Sequence, residues 1–351
     1  MLRIDDILEK PVPWLECTGL NTDVVISSRL RLARNLKQFP FPNNSQVKVL
    51  DDIVKEARQI FQSNSEFLDW EFSSLDLFTY SEKQVLLERR FISPEFAKKT
   101  NHAAISIDES CNFSIMINEE DHFRIQILDS GMDLEVLWQS LNLVEEQLNQ
   151  NISFAYDSQF GYLASNPLNS GSGLRVSVLL HLPALKITGG LGAIMNRAIF
   201  SGMMVNGFYG KGQDETGYIY QIYNNLAIGW NVPELLQIII KIVRRVVDKE
   251  QEARQKLQEY RKRIDVEDKV FRSLGILERA RKLRSREFME HYSNLKLGTS
   301  LDIITEIDSD ILQELLLWVQ PAHLQYYFGD EMSLMEQEIF RAEMVRSRLG
   351  L

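Results

Sequence analysis

The spacing of apolar residues changes several times along the chain. Residues 45–63 place apolar side chains three or four positions apart, which predicts an amphipathic helix within a small N-terminal helical unit. From about residue 103 the period falls to two, and the segments AISI, FSIMI and HFRIQIL alternate apolar and polar positions. The DESCN between the first two is typical of a turn. These three segments therefore predict antiparallel strands.

The second half of the chain predicts more helix than strand. The pattern predicts helix over 132–150 and 174–185, a strand at YIYQIY (218–223), and a long helix from about 233. Beyond residue 257 the sequence is charged and helical, which indicates a separate all-helical module. The expected fold is α+β, with a small N-terminal helical domain, a central antiparallel sheet flanked by helices, and a C-terminal helical module. The predicted domains are 1–80, 81–256 and 257–351.

Composition excludes several classes of protein. The 351 residues, 44% of them hydrophobic, are enough for the core of two or three domains. A net charge of −10 argues against a nucleic-acid binder, and two cysteines, Cys17 and Cys111, argue against a disulfide framework or structural zinc. The N-terminal MLRIDDILEK lacks the basic start of a signal peptide, and no apolar run is long enough to span a membrane. We expect a cytoplasmic protein without nucleic-acid or membrane partners.

The segment GYLASNPLNSGSGLRVSVLLHLPAL, residues 161–185, changes character at its midpoint. Its first half is rich in Gly, Asn, Ser and Pro and predicts a loop. Its second half predicts a packed helix, with Arg175 just inside the junction. Backbone N–H groups at the start of a helix attract anions, and an arginine adds a fixed positive group. The junction therefore predicts a phosphate site.

Three further arginines occupy similar positions. Arg29 and Arg31 lie two residues apart, so that they share a face if the segment is extended. Arg124 is predicted to project with Gln126 away from the apolar face of its strand. Each arginine alone is most simply a surface or ion-pair residue. Their occurrence together with Arg175 weakens that interpretation.

The motifs that carry these arginines resemble a known family. SSRLRLARNL, NEEDHFRIQ and GSGLRVSVLLHLPAL are similar to motifs of the ATP:guanido phosphotransferases, the phosphagen kinase family. FISP at 91–94 and the helical C-terminal module fit the bacterial protein-arginine kinase branch. In this family arginines, rather than a Walker loop, hold ATP, and Mg²⁺ arrives with the nucleotide rather than on protein ligands. The resemblance implies that Glu120 holds the acceptor guanidinium and that the ATP phosphates lie against Ser28, Arg29, Arg31, Arg124 and Arg175.

Three positions depart from the family pattern. Asn166 replaces the reactive cysteine, and the family's Arg-Gly-x-x-Gly-Glu becomes a segment from Asn206 to Lys211. An asparagine offers no negative charge to a guanidinium. A lysine held about 4 Å from that guanidinium would repel it by about 4 kcal/mol at an effective dielectric of 20. Alternatively, Lys211 turns toward ATP and replaces the charge missing at Asn206.

The C-terminal module departs in a similar way. The branch binds phosphoarginine through Arg-Asp-x-x-Arg-Ala, and this chain has Gln337, Glu338 and Arg341 at the polar positions. Gln337 lacks the charge that would meet the phosphate, whereas Arg341 is retained. The alternative is an amphipathic helix that packs in a dimer interface.

Two functions remain from the sequence. One is an active kinase that transfers the γ-phosphate of ATP to protein arginine side chains. The other is a pseudokinase that retains nucleotide binding and a regulatory role in protein quality control, and the three departures favour it. The long C-terminal helices predict a homodimer, because they would otherwise expose apolar stripes. The resemblance implies a zinc-finger activator protein and a Clp-type unfoldase as partners, with protein arginine substrates if the chain is active.

Overall fold

The computed structural model describes residues 2–208, 216–329 and 331–350. The strands are β1 Val25–Arg34, β2 Glu71–Ser74, β3 Ala104–Ile107, β4 Phe113–Ile117, β5 Phe123–Ser130, β6 Tyr156–Asp157, β7 Gly161–Tyr162, β8 Leu174–His181, β9 Met203–Gly207 and β10 Ile219–Asn224. The helices are α1 Ile4–Glu9, α2 Val47–Ser63, α3 Tyr80–Glu88, α4 Pro94–Ala97, α5 Leu134–Asn149, α6 Pro183–Ile187, α7 Leu191–Phe200, α8 Val232–Leu257, α9 Tyr260–Arg279, α10 Ser285–Ser300, α11 Ser309–Trp318, α12 Pro321–Phe328 and α13 Leu334–Leu349.

Among the described residues, eight strands form one antiparallel sheet in the order β2-β3-β4-β5-β1-β8-β10-β9. The predicted strands at 104–107, 113–117 and 122–128 are confirmed as β3, β4 and β5. The α+β class is confirmed as well. Strands β1 and β2 lie before residue 80 and yet pair within this sheet, so the sheet spans the predicted boundary between the first two domains.

The helix predicted over 174–185 is wrong, because residues Leu174–His181 form the strand β8. This strand lies between β1 and β10, and almost all of its side chains are buried. A strand covered on both faces has apolar residues at nearly every position, and such a run also satisfies helical spacing. Arg175 therefore projects from a strand, so no helix start supplies backbone N–H groups beside it, and its contact with phosphate stays a prediction.

The helix predictions at 45–63, 132–150 and from 233 are confirmed as α2, α5 and α8. Helix α8 is 26 residues long and leads into the helical C-terminal part. Near its end, Arg254 forms ion pairs with Asp23 (3.0 Å) and Glu250 (3.1 Å). Glu88 at the end of α3 accepts hydrogen bonds from the backbone N–H groups of Ala322 and His323 at the start of α12. The Arg254 contacts tie the end of α8 to the segment before β1, and the partly buried Glu88 contacts join α12 of the C-terminal part to α3.

None of the described helices combines the length and the apolarity that a bilayer crossing requires.

Candidate functional site

The register of the central strands brings the predicted arginines to one face of the sheet. Arg31 on β1 is paired with Arg175 on β8, and Ala33 is paired with Arg124 on β5. Paired residues of antiparallel strands share a face, as do alternate residues along one strand. The resulting arginine cluster consists of Arg29, Arg31, Arg124 and Arg175.

The cluster is electrostatically unfavourable without an anion. Burial, and next the charges of neighbouring arginines, lower the pKa of Arg29 to about 9 and that of Arg31 well below its ordinary value. The buried Nε atoms of Arg31 and Arg175 have no hydrogen-bond partner among the described residues. Such groups cost free energy unless a ligand or water satisfies them. The cluster therefore fits a polyanion such as a nucleotide triphosphate.

Arg90 is a residue of this region that sequence reasoning missed. Its charge is the largest single-residue contribution to the lowered pKa of Arg29. Its guanidinium lies over the rings of Trp14 (4.8 Å) and Phe208 (5.0 Å), and its φ of +67° is uncommon for a residue other than glycine. The only signal in the sequence was that Arg90 immediately precedes the FISP motif.

Glu119 fixes one arginine of the cluster. Its Oε2 is 2.6 Å from Arg124 Nη1 and also accepts from the backbone N–H of Glu120 at 2.7 Å. Its Oε1 accepts from the hydroxyl of Ser93, in the FISP motif, at 2.5 Å. Burial raises the pKa of Glu119, but Arg124 and these hydrogen bonds together hold it below its ordinary value. Both carboxylate oxygens of Glu119 have partners, so Glu119 positions Arg124 and the backbone of Glu120.

Glu120, the predicted acceptor carboxylate, has the opposite electrostatic character. Burial, followed by the charges of Asp121 and Glu119, raises its pKa above the ordinary value. Arg124 and a hydrogen bond from Asn166 act in the other direction. A partly buried carboxylate with a raised pKa beside the arginine cluster is suited to accept a proton.

Asn166 lies in a loop that several buried contacts hold in place. Its Oδ1 accepts from the backbone N–H of Leu168, which leaves its amide N–H groups to face Glu120. Asp121 accepts from the backbone N–H of Ser165 at 2.6 Å. The buried Arg34, which is paired with a carboxylate of α5, donates to the carbonyl of Ser172 at 3.1 Å. The structure thus places Asn166, at the family's cysteine position, next to Glu120, the predicted acceptor carboxylate.

Asn206 lies on β9, on the same face of the sheet as the arginine cluster. Its Nδ2 donates to the hydroxyl of Tyr223 at 2.9 Å. The ring of Tyr223 lies 4.3 Å from the guanidinium of Arg175. Tyr223 therefore lies between Asn206 and Arg175 of the cluster and contacts both. Lys211 lies outside the described residues.

Two other residues of these motifs have buried side chains with internal partners. The hydroxyl of Ser28 donates to the carbonyl of Gly131 at 2.6 Å, and strand alternation places it on the face opposite Arg29. His122 accepts from the backbone N–H of Leu36 at 3.0 Å, and burial lowers its pKa to about 4. A neutral, fully buried imidazole positions the backbone. The structure does not bring the Ser28 hydroxyl to the cluster, so its phosphate contact stays a prediction.

Comparison with family models identifies the catalytic part. Residues 52–253 match the model of the ATP:guanido phosphotransferase C-terminal catalytic domain, which is more than half of the chain. The chain belongs to the ATP:guanido phosphotransferase family. Residues 263–351 match the model of the protein-arginine kinase McsB C-terminal domain, which places it in the protein-arginine kinase branch.

Curated relatives that align with this guanido phosphotransferase over nearly their full length are named protein-arginine kinases. The protein-arginine kinase of Halothermothrix orenii is 34% identical, with 100% of each chain covered. That of Symbiobacterium thermophilum is 39% identical, with 96% of each chain covered. The predicted resemblance to this branch is confirmed.

Solved structures support the fold of this guanido phosphotransferase. A lombricine kinase matches with a TM-score of 0.58 and 22% identity, over 69% of this chain and 71% of that chain. The duplicated taurocyamine kinase from Schistosoma mansoni matches with a TM-score of 0.60 and 21% identity, over 72% of this chain and 37% of that chain. At these identities the likeness concerns the fold alone.

The structure does not bring all the residues predicted to bind phosphoarginine, Gln337, Glu338 and Arg341, to one cavity. Glu338 borders a cavity of about 530 Å³ whose rim includes Lys282 and Arg284, at 3.8 and 3.6 Å from its carboxylate. Arg341 is buried and donates to the carbonyls of Val319 and Leu283, both at 3.0 Å. Gln337 is half-buried on the same helix, α13. The structure brings Glu338, and not Arg341, to the cavity.

Proposed function

We propose that this protein is an active protein-arginine kinase that binds ATP through the arginine cluster. The observation that carries the proposal is the burial of Arg29 and Arg31 among like charges, beside Arg124 and Arg175. In addition, the buried Nε atoms of Arg31 and Arg175 have no hydrogen-bond partner in the described structure. A triphosphate supplies the missing negative charge, and planar guanidinium groups suit its oxygens. Arg90 adds a further positive group at the edge of this site.

Mg²⁺ would arrive on the nucleotide and neutralise part of its charge. Within the described ranges no group of three His, Cys, Asp or Glu side chains could hold a metal ion.

Glu120 is the proposed acceptor carboxylate. It would bind the guanidinium of a protein arginine and accept its proton as a guanidinium nitrogen attacks the γ-phosphorus. A P–N bond forms, the bond from the γ-phosphorus to the bridging oxygen breaks, and ADP leaves. The raised pKa of Glu120 supports this role, because an acceptor of higher basicity takes a proton more readily. Catalysis then rests on positioning and charge neutralisation.

One observation favours a second candidate, a pseudokinase that binds nucleotide and transfers phosphate weakly or not at all. Asn166 faces Glu120 and offers a neutral amide where the family pattern has a cysteine. Lys211 replaces a second carboxylate in the sequence and lies outside the described residues. The full-length relatives, which are named protein-arginine kinases, support the active candidate more strongly.

Phosphoarginine formation separates the two candidates. The protein is incubated with ATP, Mg²⁺ and an unfolded arginine-containing protein, and products are analysed by mass spectrometry without acid, because the P–N bond is acid-labile. The active candidate predicts phosphoarginine from the wild type and none from Glu120→Gln. A silent wild type, revived by Asn166→Cys, Asn206→Arg and Lys211→Glu together, would favour the pseudokinase. The triple variant is the informative one, because coupled catalytic residues are strongly non-additive.

We also propose, from the family resemblance, a homodimer formed through the C-terminal helices, a zinc-finger activator protein and a Clp-type unfoldase as partners. A cytoplasmic location and a role in stress response and proteolysis would follow from such partners. Comparing the solution mass of the full chain with that of a chain ending at residue 257 tests the dimer: loss of self-association is expected.

A further inference from the structure

A long groove lies on the surface along helix α8, away from the arginine cluster. One part, a cavity of about 750 Å³, is enclosed by α6, α7, the C-terminal half of α8, and α9. Its floor is apolar and includes Leu185, Ile194, Leu257 and Val266, all at most 8% exposed. An apolar floor between four helices is a feature of grooves that accept amphipathic segments.

The rim of this cavity is strongly basic. Five cations and two carboxylates line it, in a protein whose net charge is −10. Lys249 is paired with Glu252 at 2.5 Å, and Lys262 is paired with Glu259, outside the cavity, at 2.9 Å. The other three cations make no ion pair with any residue of the described ranges: these are Arg197, Lys256 and Lys269. The rim thus offers unneutralised positive charge above an apolar floor.

A second cavity, of about 370 Å³, continues the groove toward the start of α8. It shares Ile194 and Arg197 with the first and adds the cations Lys241 and Arg245 to the rim. The residues of α8 that line the two cavities recur three or four positions apart between residues 238 and 257, so they form one face of that helix. At 1.5 Å per residue this face is roughly 30 Å long, the length of a helix of about 20 residues.

We propose that this groove binds an acidic amphipathic helix of a partner protein. The apolar side of that helix would lie on the floor, and its carboxylates would face the cations of the rim. Complementary charge of this kind sets partner choice and accelerates association. The apolar floor favours a polypeptide over a nucleic acid. Binding of a phosphate backbone depends on positive charge and does not require an apolar surface beneath it.

The probe is a fluorescein-labelled 20-residue peptide with leucines at helical spacing and glutamates elsewhere, and binding is measured by fluorescence anisotropy. Lys256→Glu with Lys269→Glu should weaken binding at least about tenfold, equivalent to about 1.4 kcal/mol. The matched control is Lys48→Glu with Lys55→Glu, on exposed positions of α2, and it should change binding less than about twofold. Ala193→Trp fills the groove at an exposed position without a change of charge, and should also weaken binding about tenfold.

Unchanged melting temperatures and unchanged nucleotide binding of each variant establish that it is folded. Equal losses in the groove variant and the α2 control would overturn the proposal, because total charge alone would then explain binding. So would equal binding of a scrambled peptide that has the same charge but no apolar stripe. Tighter binding of a 20-nucleotide poly-uridine RNA, lost in the same variants, would make the groove a nucleic-acid surface. A change only in the self-association of the chain would make the occupant a second copy.

Discussion

The phosphate side and the acceptor side of the candidate site are built differently. The four arginines of the cluster project from β1, β5 and β8, three adjacent strands within the sheet. Glu120 lies in the turn between β4 and β5, and Asn166 lies in the loop before β8. The departures in the catalytic part are at Asn166, Asn206 and Lys211, and none falls among the cluster arginines. Strands within the sheet thus carry the four retained arginines, whereas the retained Glu120 lies in a turn.

The two sides also differ in how their polar groups are satisfied. The arginine cluster has like charges close together and buried Nε atoms without partners in the described structure. The acceptor loop, by contrast, is held internally: its Ser165 N–H donates to Asp121, and its Ser172 carbonyl accepts from Arg34. The phosphate side is therefore organised for an anion that must arrive from outside, whereas the shape of the acceptor loop is stabilised internally. This contrast teaches that substitutions on the two sides should have separable effects on nucleotide affinity, stability and transfer.

The largest expected effect is on transfer by Glu120→Gln. Loss of the proposed base should lower kcat by about 10²- to 10⁴-fold, while nucleotide affinity changes little. The measurement is the rate of phosphoarginine formation beside a nucleotide titration. Equal losses of nucleotide affinity and kcat would contradict the separation of the two sides.

The pH dependence adds a second readout for Glu120. Its pKa in the folded protein is raised, so activity should be lost as pH falls through a value above that of an ordinary glutamate. A raised carboxyl pKa contributes stability below the unfolded pKa, and this contribution is lost as pH rises through the folded pKa. At pH 7 the ionised carboxylate is therefore unfavourable, and Glu120→Gln should leave the melting temperature unchanged or raise it.

The next largest effect is expected from Arg31→Met, which removes one charge from the cluster. Nucleotide affinity should fall about 10- to 100-fold, the range for losing a hydrogen bond to a charged group. The nucleotide-free protein should become more stable, since a desolvated cation among like charges is replaced by an apolar side chain. Thermal melting with and without ATP measures both. Arg272→Met, at a position 75% exposed, is the control and should change neither.

The sequence predicted the phosphate side better than its surroundings. The spacing of Arg29 and Arg31 and the alternation around Arg124 gave the correct face because both depend on strand periodicity alone. Arg175 was assigned to the wrong element, since a strand buried on both faces has no clear period, but it lies on the same face as the other three arginines. Arg90 was missed because its place beside Arg29 depends on tertiary contacts with Trp14 and Phe208, which are distant from it in the chain. The partner of Arg341 was likewise hidden, since its carbonyl acceptors are 22 and 58 residues away in the chain.

A smaller effect is expected from Asn166→Cys, which tests the acceptor side alone. A thiolate there would make a charge-assisted hydrogen bond to the acceptor guanidinium, and transfer should rise about tenfold, or about 1.4 kcal/mol in the barrier. Nucleotide affinity should stay the same. Asn166→Ser is the matched control, because it has the size of cysteine without its acidity. If serine accelerates transfer as much as cysteine, steric relief and not charge is the cause.

The smallest effect is expected from Asn206→Arg, which restores a positive charge at the edge of the phosphate side. Nucleotide affinity should rise only about threefold, since a partly exposed charge contributes less than 1 kcal/mol. Arg90 explains why the gain is small: its guanidinium lies 5.0 Å from the ring of Phe208, two residues beyond Asn206, and already supplies positive charge there. In an Arg90→Gln background the same Asn206→Arg change should therefore raise affinity more, by about tenfold, and the double-mutant cycle measures this coupling. Equal gains in both backgrounds would mean that Arg90 and residue 206 act on different parts of the nucleotide.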